Sequence, residues 1–177
     1  MRALVFALPF ASIACGSTES PDQWRFESAI EVNIDAPRDR ADLLGTLRRN
    51  AVADGLHVDD VSANSPSPLG RTIYVGAWRG PGDSNLEISI DDAGHPGRAW
   101  VIFSRGAQPA LATRLRERLS VEIMRRWPAA RRIPVTSWGG LPPAGDLRII
   151  NGQYEIDPAL ADRYAAEAEN LAKSEGR

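Results

Sequence analysis

The chain has 177 residues, 43% hydrophobic and 25% charged, a composition that excludes a disordered polymer and fits one ordinary domain with appendages. Its formal net charge of −2 argues against binding polyanions through bulk electrostatics. Cys15 is the single cysteine, so no internal disulfide is available and the folded part must be held by its core.

The first segment in chain order belongs to targeting rather than to a fold. Arg2 precedes an apolar run from Ala3 to Phe10. Pro9 interrupts that run, which is also shorter than the roughly 20 residues of a spanning helix. This is the pattern of an export signal that is removed, here residues 1–14. Ser12-Ile13-Ala14-Cys15 resembles the lipobox of bacterial lipoproteins, with Ser12 standing where that family favours Leu, Val or Ile. The resemblance implies cleavage just before Cys15, acylation of its thiol and a membrane-anchored amino terminus. In a Gram-negative cell, Ser17 after Cys15-Gly16 further implies the outer membrane, facing the periplasm. Ser12 and Ala14 also satisfy the small-x-small rule of ordinary secretory cleavage, which would release a soluble protein. Residues 15–23, small and polar, suit a tether between bilayer and body.

Residues 25–34 alternate, with Phe26, Ile30, Val32 and Ile34 on one side and Glu27, Glu31 and Asn33 on the other. Period two predicts a strand with one polar face. Asp35 as cap and Pro37 in the first turn then predict a helix over 38–54, with Leu44, Leu47 and Ala51 on one side and Gly55 as its stop. A polar loop at 62–70 leads into three strands, 72–79, 85–91 and 98–104, whose short turn-rich connections predict an antiparallel meander. A second helix over 108–126 carries Leu111, Leu115, Leu119 and Ile123 in one stripe. Ile133-Pro134-Val135 reads as a last edge strand. The order β-α-β-β-β-α predicts an α+β two-layer sandwich of ferredoxin-like type over residues 24–136. Its antiparallel sheet has four to five strands with two helices on one face. Residues 137–177 follow as a Gly/Pro-rich linker, a hairpin about Asn151-Gly152 and a helix opened by Asp157-Pro158.

No motif for chemistry stands out. His95 sits in Asp91-Asp92-Ala93-Gly94-His95-Pro96, which is turn vocabulary and matches no standard metal-ligand spacing. His57 precedes Val58-Asp59-Asp60 as a surface residue. No serine lies in a nucleophile-elbow pattern, and no glycine loop matches a phosphate or dinucleotide fingerprint. The sequence therefore names no metal, no cofactor and no catalytic residue. Binding is the favoured role. Tyr74, Trp78 and Trp100 are the candidate contacts, placed on the sheet face away from the helices for another envelope protein. The competing arrangement has residues 131–177 folding back over that face to complete the core. Arg114, Arg118 and Arg125 share one flank of the second helix, with Arg131 and Arg132 just beyond, and read as a solvated face. Otherwise they would meet anionic headgroups or an acidic partner; nucleic acid is not a partner outside the cytoplasm. The alternatives to a binding module are a small envelope hydrolase using Asp91, Asp92 or His95, and a structural spacer.

Overall fold

The computed structural model describes residues 25–60, 75–78, 88–91, 97–106 and 108–174. Within them the chain is an α+β protein with three helices and antiparallel sheets. Strand β1, Phe26–Asn33, is flanked by β5, Arg98–Ser104, and β6, Arg131–Ile133, and β4, Ile88–Asp91, lies beyond β5. The resulting order is β4-β5-β1-β6, antiparallel at each step. Helix α1, Pro37–Ala53, follows β1, and α2, Pro109–Arg126, follows β5.

Both helices cover one face of this sheet. From the strands, Ile30, Val32, Ala99, Val101 and Phe103 are buried against Leu43, Leu47 and Ala51 of α1 and Leu115, Leu119 and Ile123 of α2. Each of the larger apolar side chains among these contributes about 1.5–3 kcal/mol on burial, so this layer is the main source of stability. The helix starts differ in detail from the sequence reading. Asp35 does not cap α1; Ala36 is the N-cap, and its amide donates to Asp39 Oδ2 at 3.2 Å.

Three departures from the sequence reading have local physical causes. Phe26 packs on the face opposite Ile30, because β1 carries an irregularity between Phe26 and Ser28 where two residues oppose one step of β5. An inserted residue reverses the side on which everything beyond it points. Strand β3, Val75–Trp78, does not continue the meander. It pairs with β2, His57–Asp60, a four-residue strand whose two aspartates give no period-two signal, and the pair forms a ladder of its own. Finally, the last sheet strand ends at Ile133 instead of spanning Pro134, which has no amide hydrogen to donate.

The C-terminal segment crosses to the other face of the sheet. β7, Leu147–Ile150, and β8, Gln153–Ile156, form the expected hairpin, with Asn151 and Gly152 at φ 50° and 79° in its two-residue turn. Asp157 accepts from the Ala159 amide at 3.0 Å and opens a 3-10 turn, Pro158–Leu160, that runs into α3, Ala161–Ser174. A second, smaller cluster lies beneath: Ala29, Trp100, Ile102, Ile133 and Leu147, with Phe26, Leu141, Ala144 and Tyr154 packed against it.

Candidate functional site

The most constrained polar group on that second face is Glu31, in the middle of β1. Alternation puts it on the same side as Ala29, the side the sequence marks as polar, yet Glu31 is only 5% exposed. Register explains its surroundings: Trp100 of β5 lies directly opposite on one side and Arg131 of β6 on the other. The Trp100 indole Nε1 donates to Glu31 Oε2 at 3.0 Å. Tyr154, delivered by β8, donates its hydroxyl to Glu31 Oε1 at 2.7 Å. Arg98 Nη1 lies 3.3 Å from the same oxygen, making an ion pair, and 3.3 Å from the Tyr154 hydroxyl. The Arg131 guanidinium stands over the Tyr154 ring, 5.9 Å from its centroid. Burial raises the Tyr154 hydroxyl above its ordinary pKa, and its hydrogen bond to the Glu31 carboxylate raises it further.

Chemically, this is a fastening. A buried carboxylate is tolerable only when its charge is matched and its lone pairs are filled. Here Arg98 supplies the charge, and an indole, a phenol and a guanidinium supply the donors. To act on a substrate, Glu31 would first have to give up those donors.

Two further polar centres serve the same end. Asp146 Oδ2 accepts from the Tyr164 hydroxyl at 2.8 Å and from Arg163. The Tyr164 hydrogen bond, then the neighbouring guanidinium, hold the Asp146 carboxyl below the usual range. Trp138 stacks on Tyr164, with centroids 5.7 Å apart. Between the helices, Arg118 Nη2 donates to the Asn50 carbonyl at 2.6 Å and to Asp54 Oδ2 at 2.8 Å, while Nη1 reaches Asp54 Oδ1 at 3.2 Å. It thereby caps the C-terminal turn of α1, where cations are favoured. Arg118 is thus an inter-helix tie made at the solvent-exposed flank it shares with Arg114 and Arg125.

The residues proposed from sequence fare unevenly. Cys15, Tyr74, Asp92 and His95 lie outside the described residues. Trp78 is on β3, opposite His57 of β2, and Trp100 is on β5, so the two tryptophans sit in separate ladders rather than on one sheet face. Trp100 is 6% exposed, covered by the C-terminal segment, and is not a surface contact in this conformation. Asp91 falls opposite Trp100 in the β4–β5 register. Among the described residues no group of three or more His, Cys, Asp or Glu side chains is placed to hold a metal ion. Among the same residues no helix is long and apolar enough to cross a membrane. Glu31, Arg98 and Tyr154 were not legible as a set, because three strands far apart in sequence bring them together. No family model, curated protein or solved structure matches this chain.

Proposed function

We propose that this chain is an exported envelope protein, anchored by acyl chains on Cys15, whose α+β body is a binding or scaffolding module. The observation that carries the anchor is the N-terminal sequence itself: Arg2, the short apolar run Ala3 to Phe10, then Ser12-Ile13-Ala14-Cys15. The placement of β1 adds a dimension to this reading. From Cys15 to Arg25 the chain spans at most about 35 Å even when fully extended, so the body works close to the bilayer. Strand order supports reading the sheet as ferredoxin-like. Helices follow β1 and β5, the order is β4-β5-β1-β6, and the β2–β3 pair is then an insertion after α1. For the binding role, the filled acceptors of Glu31 favour a structural use of the buried carboxylate over a catalytic one. Tyr74 and Trp78 remain the proposed contacts with a protein partner in the envelope, while Trp100 is shielded.

Mass spectrometry of the protein purified from detergent-solubilised membranes of its own host tests the anchor. The expected N-terminal peptide begins at Cys15 and carries diacylglyceryl and fatty-acyl mass. Cys15→Ser should leave the membrane fraction and lose that mass. A mature protein that retains Met1 without acyl mass overturns the reading.

A further inference from the structure

We infer that the C-terminal hairpin and helix form a detachable cover over the outer face of the sheet, latched by the Tyr154 hydroxyl on Glu31. The cover is stitched mainly to itself. β7 and β8 pair with each other in a ladder separate from the main sheet. The Asp157 amide donates to the Asp146 carbonyl at 2.7 Å, and Arg148 pairs with Asp157 at 3.1 Å. Tyr164 and Arg163 of α3 close on Asp146, so the helix travels with the hairpin.

The base of the cover is fixed, and the neck that leads out of it takes no part in a ladder. The Phe26 amide donates to the Gly139 carbonyl at 2.9 Å, and Arg25 Nε donates to the Trp138 carbonyl at 3.1 Å, which pins the chain at the sheet end. Leu141-Pro142-Pro143 then leads out, and two consecutive prolines contribute no amide to a ladder. Beyond that neck, the apolar contribution of the cover to the sheet is modest: Leu147 is buried, Ala144 and Tyr154 are half-buried, and Tyr164 of α3 stacks on Trp138 of the base. By contrast, the helical face buries long aliphatic side chains from both α1 and α2. Regions with few buried apolar contacts open locally before the molecule unfolds. Tyr154 carries the polar link, since its hydroxyl meets Glu31 and Arg98 while its ring lies under Arg131. When the latch parts, Ala29, Trp100, Ile102 and Ile133 become the exposed face. The tryptophan singled out from sequence is then presented only in the opened state. This inference goes beyond the anchoring proposal and holds or fails independently of it, because it concerns the body alone.

Hydrogen exchange followed by NMR on the intact mature chain tests it. In the wild type, the amides of β7 and β8 and the indole N–H of Trp100 should exchange at least roughly tenfold faster than the slowest amides of β1 and β5. Tyr154→Phe removes one hydrogen bond to a charged acceptor. It should speed exchange of the hairpin and of the Trp100 indole by roughly ten- to a hundredfold, leaving both faster than the slowest β1, α1 and α2 amides. Tyr164→Phe, which breaks a contact inside the cover, should leave the Trp100 indole at its wild-type rate. Two results overturn the inference. One is uniform protection across hairpin and sheet, with both shifting together in Tyr154→Phe, which defines a single cooperative unit. The other is a Tyr154→Phe chain whose hairpin and indole exchange at wild-type rates.

Discussion

Asn50 shows how a single polar side chain fixes the helical layer. It is 6% exposed and makes a hydrogen bond from each of its side-chain heteroatoms. Nδ2 donates to the Thr46 carbonyl at 2.9 Å and to Glu122 Oε2 of α2 at 2.7 Å; Oδ1 accepts from Arg118 Nε at 2.8 Å. Truncation to alanine removes an acceptor from Arg118 and a donor from Glu122, whose side chains are 43% and 26% exposed and can turn to water. The net contribution of such a hydrogen bond is about 0.5–1.5 kcal/mol. Asn50→Ala should therefore lower the unfolding free energy by an amount in that range, read as a lower urea midpoint with an unchanged slope. Arg114, exposed on the same helix, gives the control, and Arg114→Ala should stay within about 0.5 kcal/mol of wild type. Equal midpoints for Asn50→Ala and wild type would remove the inter-helix tie from the account.

Whole elements were legible from sequence wherever local signals decided them. α1 and α2 form where the apolar stripe and the Pro starts place them, and the Asn151-Gly152 hairpin forms because its turn demands positive φ at both positions. What escaped is what only tertiary pairing decides: β2 exists because β3 lies beside it, and the irregularity in β1 sends Phe26 to the opposite face. The same holds for Glu31. Its alternation with Ala29 reads as a solvent-facing position, and no residue near it in sequence announces that Tyr154 will close over it. The linker before the hairpin offers a test of how closely the two segments meet. Gly139 has φ +82°, and a Cβ there would stand 2.8 Å from Arg25 Cβ and 3.2 Å from Arg25 Cα. Gly152 has φ +79° with open space around it. Gly152→Ala should cost the left-handed penalty alone, about 1–2 kcal/mol. Gly139→Ala should cost more, because the obstruction is the Arg25 backbone and not a movable side-chain end. Thermal denaturation of the two variants gives the comparison, and equal losses would mean that the linker does not press on β1.

The molecule as a whole titrates in an unusual way, because Lys173 is its single lysine among 21 basic residues and guanidinium groups keep their charge to very high pH. Alkaline changes in stability therefore fall largely to tyrosine. Burial, followed by the hydrogen bond to a carboxylate, raises both Tyr154 and Tyr164 above their ordinary values. A phenol whose folded pKa is raised contributes stability that is fully present below its unfolded pKa, about 10, and is lost as pH rises through the folded value. The acid side runs the other way. The Asn50 hydrogen bond, with Arg49 beside it, holds Glu122 below the usual carboxylate range, and Tyr164 and Arg163 do the same for Asp146. Their contribution is complete above about pH 4.5 and disappears as pH falls through the folded values. The share of stability that these four groups contribute, followed by urea midpoint, should accordingly be flat from about pH 5 to about pH 9.5, falling at both ends. The two limbs have separable owners. Tyr154→Phe has no phenol to ionise at the Glu31 latch, so its alkaline fall should be shallower than that of wild type, while its acid fall should be unchanged. The double variant Tyr154→Phe/Tyr164→Phe should flatten the alkaline limb further. An alkaline fall as steep in the double variant as in wild type would show that ionisation of these two tyrosines does not set the alkaline limit of stability.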